Sequence, residues 1–458
     1  MKHRSINPHR PSDVVLEFED GGRDAVAVAV DRAQEAFKAW REEPALIRGQ
    51  RLTRVAEELE RRSDEVARLM VREVGKPVRE ASAEVARVIA IFRYYAQLVL
   101  VPDGQTYAAA TARAWLFARH YPVGVCALIT PWNFPLAIPS WKLAPAIAYG
   151  NVVVLKPAHA ATAVALLLQE VAARHLPEAV VQVLPGGSET GSALLDHPNV
   201  AAVSFTGSLD IGRVVVRQAA SRGARCQCEM GGQNASVVLS DADLEGAART
   251  IAYAAMGYAG QKCTATSRVI IEAGVYDDMR ERLVAAVQDL EVVDPERDTT
   301  IVGPLISDQA RASALEAVRR GGGRILTGGA PLDHEGFYLA PTLIEVGDPR
   351  SPIVQEEVFA PVTAILRAQS VEDALRLAND VQYGLVAAVF TSDLDRALDV
   401  PNQLQVGLIR INAPTSGVDY HAPFGGSKAS SIGPREQGLA AREFYTETRT
   451  ILISPEAP

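Results

Sequence analysis

The chain has 458 residues, of which 48% are hydrophobic and 22% charged, a composition typical of an ordered globular protein. Its length is enough for two or three domains, and its net charge of −9 argues against a nucleic-acid binder, which needs a basic face for phosphates. Four cysteines in a chain of this length exclude a disulfide scaffold.

No secretory signal is visible in residues 1–24, which are mostly polar. The stretch from Tyr121 to Trp141 carries no charge, but its four prolines would break a membrane-spanning helix. We therefore expect no membrane segment and a cytoplasmic location.

Apolar residues three and four positions apart, with charged residues between them, predict helices through the first hundred residues. From Val123 onward, short apolar runs alternate with helical stretches, a pattern typical of a doubly wound parallel sheet. The predicted helices are Ala25–Trp40, Ala45–Val74, Val78–Leu100, Ser140–Ala148, Ala163–Arg174 and Glu189–Leu195, and the predicted strands are Val123–Thr130, Asn151–Leu155, Ala179–Leu184 and Ala201–Phe205.

A second region of the same kind follows Glu229, with the boundary near Met230–Gly232. Ser240 and Asp243 form a capping-box pattern ahead of a helix over Leu244–Met256. The other elements predicted here are strands at Ala235–Leu239, Ser267–Ile271, Thr363–Leu366, Leu385–Phe390 and Gly407–Asn412, and helices at Tyr276–Gln288 and Val371–Asn379. The fold class expected from this pattern is α/β, with two doubly wound domains.

One of the four cysteines, Cys263, is a candidate nucleophile. Cys263 stands between a glycine turn and a predicted strand, a setting that can present a thiol to a cleft. Cys126 lies inside an apolar strand and is predicted to be a core residue. Cys226 and Cys228 lack the further ligands that a metal site needs, so we expect no metal.

Other segments at strand ends carry groups suited to binding or catalysis. Asn133, in the rigid loop Pro131–Pro135, can donate a hydrogen bond to a developing oxyanion. Lys156 ends the next strand, where it can meet a ribose or phosphate. Phe205–Ser208 ends another strand and is only weakly similar to a phosphate turn, and Glu229 precedes a double glycine.

In this order and spacing, these segments resemble the aldehyde dehydrogenase superfamily. The matching segments are Pro131–Pro135, Lys156–Pro157, Phe205–Ser208, Glu229–Gly232, Gly260–Cys263, Glu357–Phe359 and Pro423–Gly426. Glu229 and Cys263 lie 34 positions apart, as the family pattern requires. The resemblance implies oxidation of a small-molecule aldehyde to a carboxylic acid with NAD or NADP, through a thiohemiacetal and then a thioester.

The resemblance also implies a role for each matching catalytic residue. Cys263 matches the nucleophile, Asn133 the side-chain donor of the oxyanion hole, and Glu229 the base that activates water. Lys142 and Glu436 match a proton path to that base, and the alternative is that both are solvated charges.

The resemblance also implies which residues line the substrate tunnel and which contact the cofactor. Trp141 and Thr264 match the wall of a substrate tunnel. The residues that match cofactor contacts are Thr130, Pro131, Trp132, Lys156, Ala158, His159, Phe205, Thr206, Gly207, Ser208, Gly231, Glu357 and Phe359.

The family organisation predicts an NAD(P)-binding domain over 1–103 and 122–231 and a catalytic domain over 232–445. Residues 104–121 and 446–458 would form a small β arm for oligomerisation. The expected assembly is a homodimer or a homotetramer. The family's usual first hairpin has no counterpart ahead of Ile6.

Several positions depart from the family pattern. His159 stands where many NAD-preferring members carry a glutamate that repels a 2′-phosphate, so we expect NADP to be accepted. By the resemblance, Glu357 and Phe359 match the clamp on the nicotinamide ribose and its neighbour. Ala360 replaces the glycine that follows Phe359, and its methyl group could tune how that half of the cofactor moves. Gln233 replaces a lysine and Ser431 a glycine, and the sequence alone gives no reason for either.

The segment Thr415–Ala422 and the tail after it resemble the subgroup that oxidises 2-oxoglutarate semialdehyde (2,5-dioxopentanoate). An ω-oxo acid of this kind needs a cation or several N–H donors at the tunnel mouth, and the sequence does not identify that group. Three alternatives stay open at this point: a coenzyme A-acylating member of the family, a cofactor-independent thiol hydrolase, and a non-catalytic structural relative.

Overall fold

A computed structural model describes residues Lys2–Ser454. Its helices are α1 (Gly22–Trp40), α2 (Ala45–Arg61), α3 (Ser63–Val74), α4 (Val78–Leu98), α5 (Ala137–Ala148), α6 (Thr162–Ala173), α7 (Ser188–Asp196), α8 (Leu209–Ser221), α9 (Leu244–Met256), α10 (Tyr276–Gln288), α11 (Asp308–Arg320), α12 (Pro352–Gln355), α13 (Val371–Asn379), α14 (Leu394–Asp399) and α15 (Ala441–Tyr445). Its strands are β1 (Lys2–Ile6), β2 (Val14–Glu19), β3 (Gly104–Tyr107), β4 (Trp115–Pro122), β5 (Val125–Thr130), β6 (Val152–Pro157), β7 (Val181–Val183), β8 (Val200–Thr206), β9 (Arg225–Glu229), β10 (Asn234–Val238), β11 (Thr266–Glu272), β12 (Arg324–Thr327), β13 (Thr342–Glu345), β14 (Val362–Ala368), β15 (Tyr383–Gly384), β16 (Val386–Phe390), β17 (Leu408–Ile411), β18 (Ser427–Lys428), β19 (Ser431–Ile432) and β20 (Thr446–Ile453).

The first large sheet has six strands in the order β19-β9-β8-β5-β6-β7. All are parallel except β19, which runs antiparallel to β9. The chain winds outward from β5 through β6 to β7 and then returns to the other side of β5 as β8. The direction of winding therefore reverses between β5 and β8, which is where doubly wound sheets bind their ligands.

The second large sheet has seven strands in the order β12-β13-β14-β11-β10-β16-β17, and only β12 is antiparallel to its neighbour. Each sheet has its own hydrophobic core of buried side chains. The α/β fold class is thus confirmed. The change from one sheet to the other falls between Glu229, the last residue of β9, and Asn234, the first of β10.

Local patterns gave several helices with the right bounds and missed other elements. The predicted bounds of α9, α10 and α13 match the structure. The helix predicted over Ala45–Val74 is two helices, because the backbone leaves the helical region at Arg62. The cap of α9 is Asp243 rather than Ser240, since its Oδ1 accepts a 3.1 Å hydrogen bond from the N–H of Gly246.

The prediction of helices throughout the first hundred residues was wrong for the hairpin β1–β2. The second strand, Val14–Glu19, alternates apolar and acidic residues from Leu16 to Glu19, a two-residue period that differs from helical spacing. The helices α8 and α11 were also missed. No helix within Lys2–Ser454 is both long and apolar enough to span a membrane.

A third sheet of three antiparallel strands has the order β20-β4-β3. Its strands come from the two segments expected to form the oligomerisation arm, of which residues 455–458 lie outside the described part of the chain. Four large hydrophobic side chains of this sheet are exposed: Tyr107, Trp115, Leu452 and Ile453.

Candidate active site

Cys263 lies on a tight turn between α9 and β11, and its side chain is partly exposed. The turn has left-handed backbone at Tyr258 (φ 54°) and Gly260 (φ 65°). A Cβ at Gly260 would lie 2.3 Å from the carbonyl oxygen of Ala360, so only glycine fits there. Asn234 Nδ2 donates a 2.7 Å hydrogen bond to the carbonyl of Cys263, which fixes the loop against β10.

Asn133 follows β5 by three residues and is buried. Its Nδ2 donates a 2.9 Å hydrogen bond to the carbonyl of Gln261, which ties it to the loop that carries Cys263. A carboxamide nitrogen has a second N–H, so this side chain can still donate to an oxygen of a ligand.

The surroundings of Cys263 favour the protonated form of its thiol. Burial, followed by the carboxylates of Glu357, Glu229 and Glu436, raises the pKa of the thiol to about 12. The backbone N–H of Cys263 itself acts in the opposite direction. The thiol is therefore protonated at neutral pH unless a positive charge approaches it.

Glu229 ends β9 and is buried. Burial, followed by the charge of Glu436, raises the pKa of its carboxyl well above the ordinary value, and Ser431, Lys142 and Arg435 counteract this. Ser431 Oγ donates a 2.5 Å hydrogen bond to Oε2 of Glu229. A carboxyl with a raised pKa is a suitable proton acceptor for work near neutral pH.

Lys142 and Glu436 are both buried and form an ion pair, so neither is a solvated surface charge. Lys142 Nζ also donates a 2.7 Å hydrogen bond to Ser204 Oγ. Trp141 Nε1 donates a 2.8 Å hydrogen bond to Oε2 of Glu436. This network carries charge and exchangeable protons on the side of the site where Glu229 lies, since both members of the ion pair act on the pKa of Glu229.

The predicted cofactor residues of β5, β6 and β8 lie at one edge of the first sheet. Thr130 is registered with Pro157 and Thr206 with Glu229, so the carboxyl ends of four parallel strands meet there. Ala158 N–H donates a 2.9 Å hydrogen bond to the carbonyl of Thr130. The hydroxyls of Thr130 and Thr206 are buried without a hydrogen-bond partner among Lys2–Ser454, which leaves them available to a ligand.

The turn after β8 is shaped for close approach. Gly207 N–H donates a 3.1 Å hydrogen bond to the carbonyl of Glu229, and a Cβ at Gly207 would lie 2.5 Å from the ring of Phe205. Ser208 is the N-cap residue of α8, and its side chain makes no capping hydrogen bond. The first turn of that helix thus faces the edge where the sheet reverses its winding.

Glu357 lies against the glycine pair that follows β9. A Cβ at Gly231 would lie 1.9 Å from Oε2 of Glu357, and the N–H of Gly232 donates a 3.0 Å hydrogen bond to Oε1. Burial raises the pKa of Glu357 to about 7. Phe359 has a left-handed backbone (φ 56°), and its ring meets Trp132, next to Pro131, edge-on at 5.8 Å.

The outer corner of the same edge holds an acid that the sequence did not reveal. Burial lowers the pKa of Lys156 to about 8, and Asp20 opposes this. His159 Nε2 lies 2.9 Å from Oδ1 of Asp20, and His3 Nε2 lies 3.1 Å from Oδ2. The loss of a glutamate at position 159 therefore does not leave this corner without a carboxylate, because the hairpin β1–β2 supplies one.

A cavity of about 210 Å³ leads to Cys263. Trp141 and Thr264 line it, and the ring of Phe424 packs at 5.7 Å from that of Trp141. Residues that the sequence reasoning did not place at the site are Ser204, Asp20 and the side chains of α4 that line the cavity. Ser431 was noted only as a departure from the family pattern. None of these positions stands in a local motif.

The match to the aldehyde dehydrogenase family model covers residues 1–451, and the chain belongs to this family. It is thus an oxidoreductase that oxidises aldehydes with NAD(P). The chain is 40% identical to the alpha-ketoglutaric semialdehyde dehydrogenase of Bacillus subtilis, over 98% of this chain and 94% of the relative. It is 39% identical to the alpha-ketoglutarate semialdehyde dehydrogenase of Haloferax volcanii, over 98% and 95% of the two chains.

Solved structures show the same fold. The betaine aldehyde dehydrogenase of Staphylococcus aureus in complex with NAD+ superposes with a TM-score of 0.96 at 31% identity, over 99% of this chain and 91% of that one. HpcC of Thermus thermophilus gives a TM-score of 0.95 at 34% identity, over 100% and 91%.

Proposed function

We propose that this enzyme oxidises an ω-oxo acid of the 2-oxoglutarate semialdehyde type to the dicarboxylic acid. The observation that carries the proposal is the position of the subgroup-like loop Thr415–Ala422. Ser416, Gly417 and Val418 line the same cavity as Cys263. The loop whose sequence points to this substrate class therefore lines the cavity that a substrate would enter, and two relatives that are 40% and 39% identical carry the name of that substrate.

The chemistry assigned to the chain begins at Cys263. After the thiol has lost its proton, the thiolate sulfur bonds to the aldehyde carbon, and the carbonyl oxygen takes the electron pair of the C=O π bond and becomes an oxyanion. Asn133 Nδ2 and the backbone N–H of Cys263 donate to that oxyanion, and losing one such donor typically costs about 3 kcal/mol of barrier. A nicotinamide bound here would accept the hydride that leaves when the oxyanion reforms its C=O bond and the carbon–hydrogen bond breaks, so that a thioester remains on Cys263.

Deacylation falls to Glu229. Its carboxylate takes a proton from water as the water oxygen bonds to the thioester carbon, and the carbon–sulfur bond then breaks to release the acid and the thiolate. Lys142 and Glu436 set the proton affinity of Glu229 through charge, since the first lowers its pKa and the second raises it. The proton is passed on through this buried network.

For the cofactor, we propose that the first sheet binds NAD(P) at its carboxyl edge and that NADP is accepted. The free hydroxyls of Thr130 and Thr206 and the helix start at Ser208 suit a pyrophosphate. His159 in place of a glutamate supports acceptance of the 2′-phosphate. Asp20 acts against it and makes comparable use of both cofactors the expected result.

For the assembly, we propose a homodimer or a homotetramer that uses the sheet β20-β4-β3. Trp115 is 71% exposed, and Leu452 and Ile453 are 59% and 55% exposed, an apolar surface that a second copy would cover. Light scattering after size exclusion should give a multiple of 49.1 kDa for the wild type and a smaller particle for Trp115→Glu.

The test of the activity is the appearance of reduced nicotinamide with a panel of aldehydes, each with NAD and with NADP. The panel contains 2-oxoglutarate semialdehyde, succinic semialdehyde, a neutral aliphatic aldehyde and an aromatic one. Cys263→Ala should abolish the signal, while Cys126→Ala, at the opposite end of β5 from Thr130, should keep it. The proposal fails if the neutral aldehydes are the better substrates. Added coenzyme A that diverted the product to an acyl thioester would contradict release of the free acid.

A further inference from the structure

One face of α4 supplies the charged wall of the tunnel. Glu80, Ala83, Glu84 and Arg87 are spaced three and four residues apart, so they lie on the same side of the helix. All four line the cavity of about 210 Å³ that also contains Cys263. A polar wall of this kind meets the part of a substrate that does not react.

The two acids of this face already have partners. Glu84 is buried, forms an ion pair with Lys76, and accepts hydrogen bonds of 3.0 and 2.8 Å from the backbone N–H groups of Leu136 and Ala137. Glu80 accepts a 2.6 Å hydrogen bond from Lys262 Nζ.

The nearby cation Lys262 has equally firm partners. Its side chain is only 5% exposed, it is ion-paired with Glu80, and its Nζ lies 5.3 Å from the ring centroid of Tyr253. A ligand anion would have to break this pair to reach the ammonium group.

Arg87 differs from the other charged groups of the cavity. Its side chain is half-buried, and it makes no hydrogen bond, ion pair or ring contact with any residue between Lys2 and Ser454. An arginine that is partly removed from water and has no ion-pair partner is costly, and its planar guanidinium matches a carboxylate with two parallel hydrogen bonds. The wall of the tunnel therefore offers one positive charge that the protein itself does not neutralise.

We propose that Arg87 binds the distal carboxylate of the ω-oxo acid while the aldehyde end meets Cys263. This inference rests on the proposed function and assigns the group that selects its substrate class. It makes Arg87 a binding residue that distinguishes ω-oxo acids from neutral aldehydes. The reaction at Cys263 is the same for both classes.

The experiment compares an ω-oxo acid with a neutral aliphatic aldehyde of similar length, for the wild type, Arg87→Met and Arg87→Lys. Arg93→Met is the matched control, because Arg93 lies on the same helix but is exposed and pairs with Glu60. Arg87→Met should raise KM for the ω-oxo acid by about 10- to 100-fold, as expected for the loss of a charged hydrogen-bond partner. KM for the neutral aldehyde should stay unchanged or fall, and Arg87→Lys should recover part of the loss.

Inhibition by glutarate against the neutral aldehyde gives a second measurement that does not need turnover of the acid. Glutarate should compete in the wild type and in Arg93→Met, and much more weakly in Arg87→Met. Equal changes in KM for both substrate classes, or unchanged KM and inhibition in Arg87→Met, would overturn the inference and point to Lys262. A wild type that oxidises only neutral aldehydes would instead overturn the proposed function, and the role of Arg87 with it.

Discussion

The hydroxyl of Ser431 donates a 2.5 Å hydrogen bond to Oε2 of Glu229 and accepts one of 2.5 Å from the backbone N–H of Gly426. A family glycine at this position has no hydroxyl, so the replacement noted in the sequence has a physical account. Ser431 stabilises the ionised form of a carboxyl that burial holds in its protonated form. The proton affinity of the proposed base is thus set partly by a residue outside every family motif.

Ser431→Gly should move the acid limb of the kcat profile to higher pH. Removing the hydrogen bond raises the pKa of Glu229 further, and the base works only when deprotonated. The profile is measured with an aldehyde for which deacylation limits turnover. Ser431→Thr, which keeps the hydroxyl, should give the wild-type profile, and Ser221→Ala, at the exposed C-terminal end of α8, should not change the profile. An unchanged acid limb in Ser431→Gly would show that this hydrogen bond does not tune the base.

Asn133→Ala should lower kcat by about 10²- to 10³-fold with a small effect on KM, because the donor acts on a charge that develops only after attack. Cofactor binding, followed by fluorescence, should stay intact. A loss confined to KM would contradict a role at the oxyanion. Because Asn133 also holds the carbonyl of Gln261, thermal unfolding serves to exclude a general loss of structure.

Without cofactor, Cys263 should react slowly with iodoacetamide at neutral pH. Burial and three carboxylates raise the pKa of its thiol to about 12, so the thiolate is scarce, and the rate should rise steeply with pH. Glu357→Gln should speed the reaction by removing the carboxylate with the largest charge effect on this thiol. Cys263→Ala corrects for labelling at the other three cysteines. Fast labelling of the wild type at neutral pH would contradict this picture.

The carboxyl of Glu357 should make the free energy of unfolding depend on pH. Burial raises the pKa of Glu357 from 4.5 to about 7, so the folded form binds its proton more tightly than the unfolded form does. This stabilisation is complete below pH 4.5 and is lost as the pH rises towards 7. Glu357→Gln lacks this dependence, so between these pH values its free energy of unfolding should gain up to about 3 kcal/mol relative to the wild type. Parallel curves for the two proteins in denaturant titrations would count against a raised pKa.

Asp20→Asn should improve the use of NADP relative to NAD. The carboxylate beside His159 lies at the same corner as Lys156, where we place a ribose of the cofactor, and there it would repel a 2′-phosphate and suit free hydroxyls. The ratio of kcat/KM for NADP over NAD should rise several-fold in Asp20→Asn. It should stay constant in Asp24→Asn, an exposed acid in the first turn of α1. EDTA belongs in the assay, since the ligand atoms of His3, Asp20 and His159 lie within 4.8 Å of one another and could catch a trace metal.

Several helices and candidate site residues could be predicted from the sequence because the patterns that indicate them lie within short segments. The helix Leu244–Met256 shows its own apolar period and has an acid at its start. The residues around Cys263, Glu229 and Lys156 stand in short segments whose order identifies the family. Where chemistry and motif coincide, sequence reasoning places the residue.

The remaining features depend on contacts between distant parts of the chain. Asp20 meets His159 across 139 positions, and Ser431 meets Glu229 across 202. Arg87 has no motif around it, and its importance comes from the lack of an ion-pair partner among the described residues, because both acids on its helix face are paired with lysines. No local sequence pattern predicts such contacts, because they depend on how the hairpin β1–β2, the strand β19 and one face of α4 pack against the rest of the chain.

The pairing of β20 with β4 has a consequence for folding during synthesis on the ribosome. Thr446 Oγ1 lies 3.2 Å from Nδ1 of His120, a residue 326 positions earlier in the chain. At about 5–20 residues per second, a ribosome leaves β4 with an uncovered edge for tens of seconds before β20 emerges. Glu436 and Ser431 arrive almost as late, so a growing chain carries its nucleophile well before the groups that surround the proposed base. Activity should therefore begin only after Ser431 and Glu436 have emerged, and until β20 follows, the edge of β4 is open to aggregation.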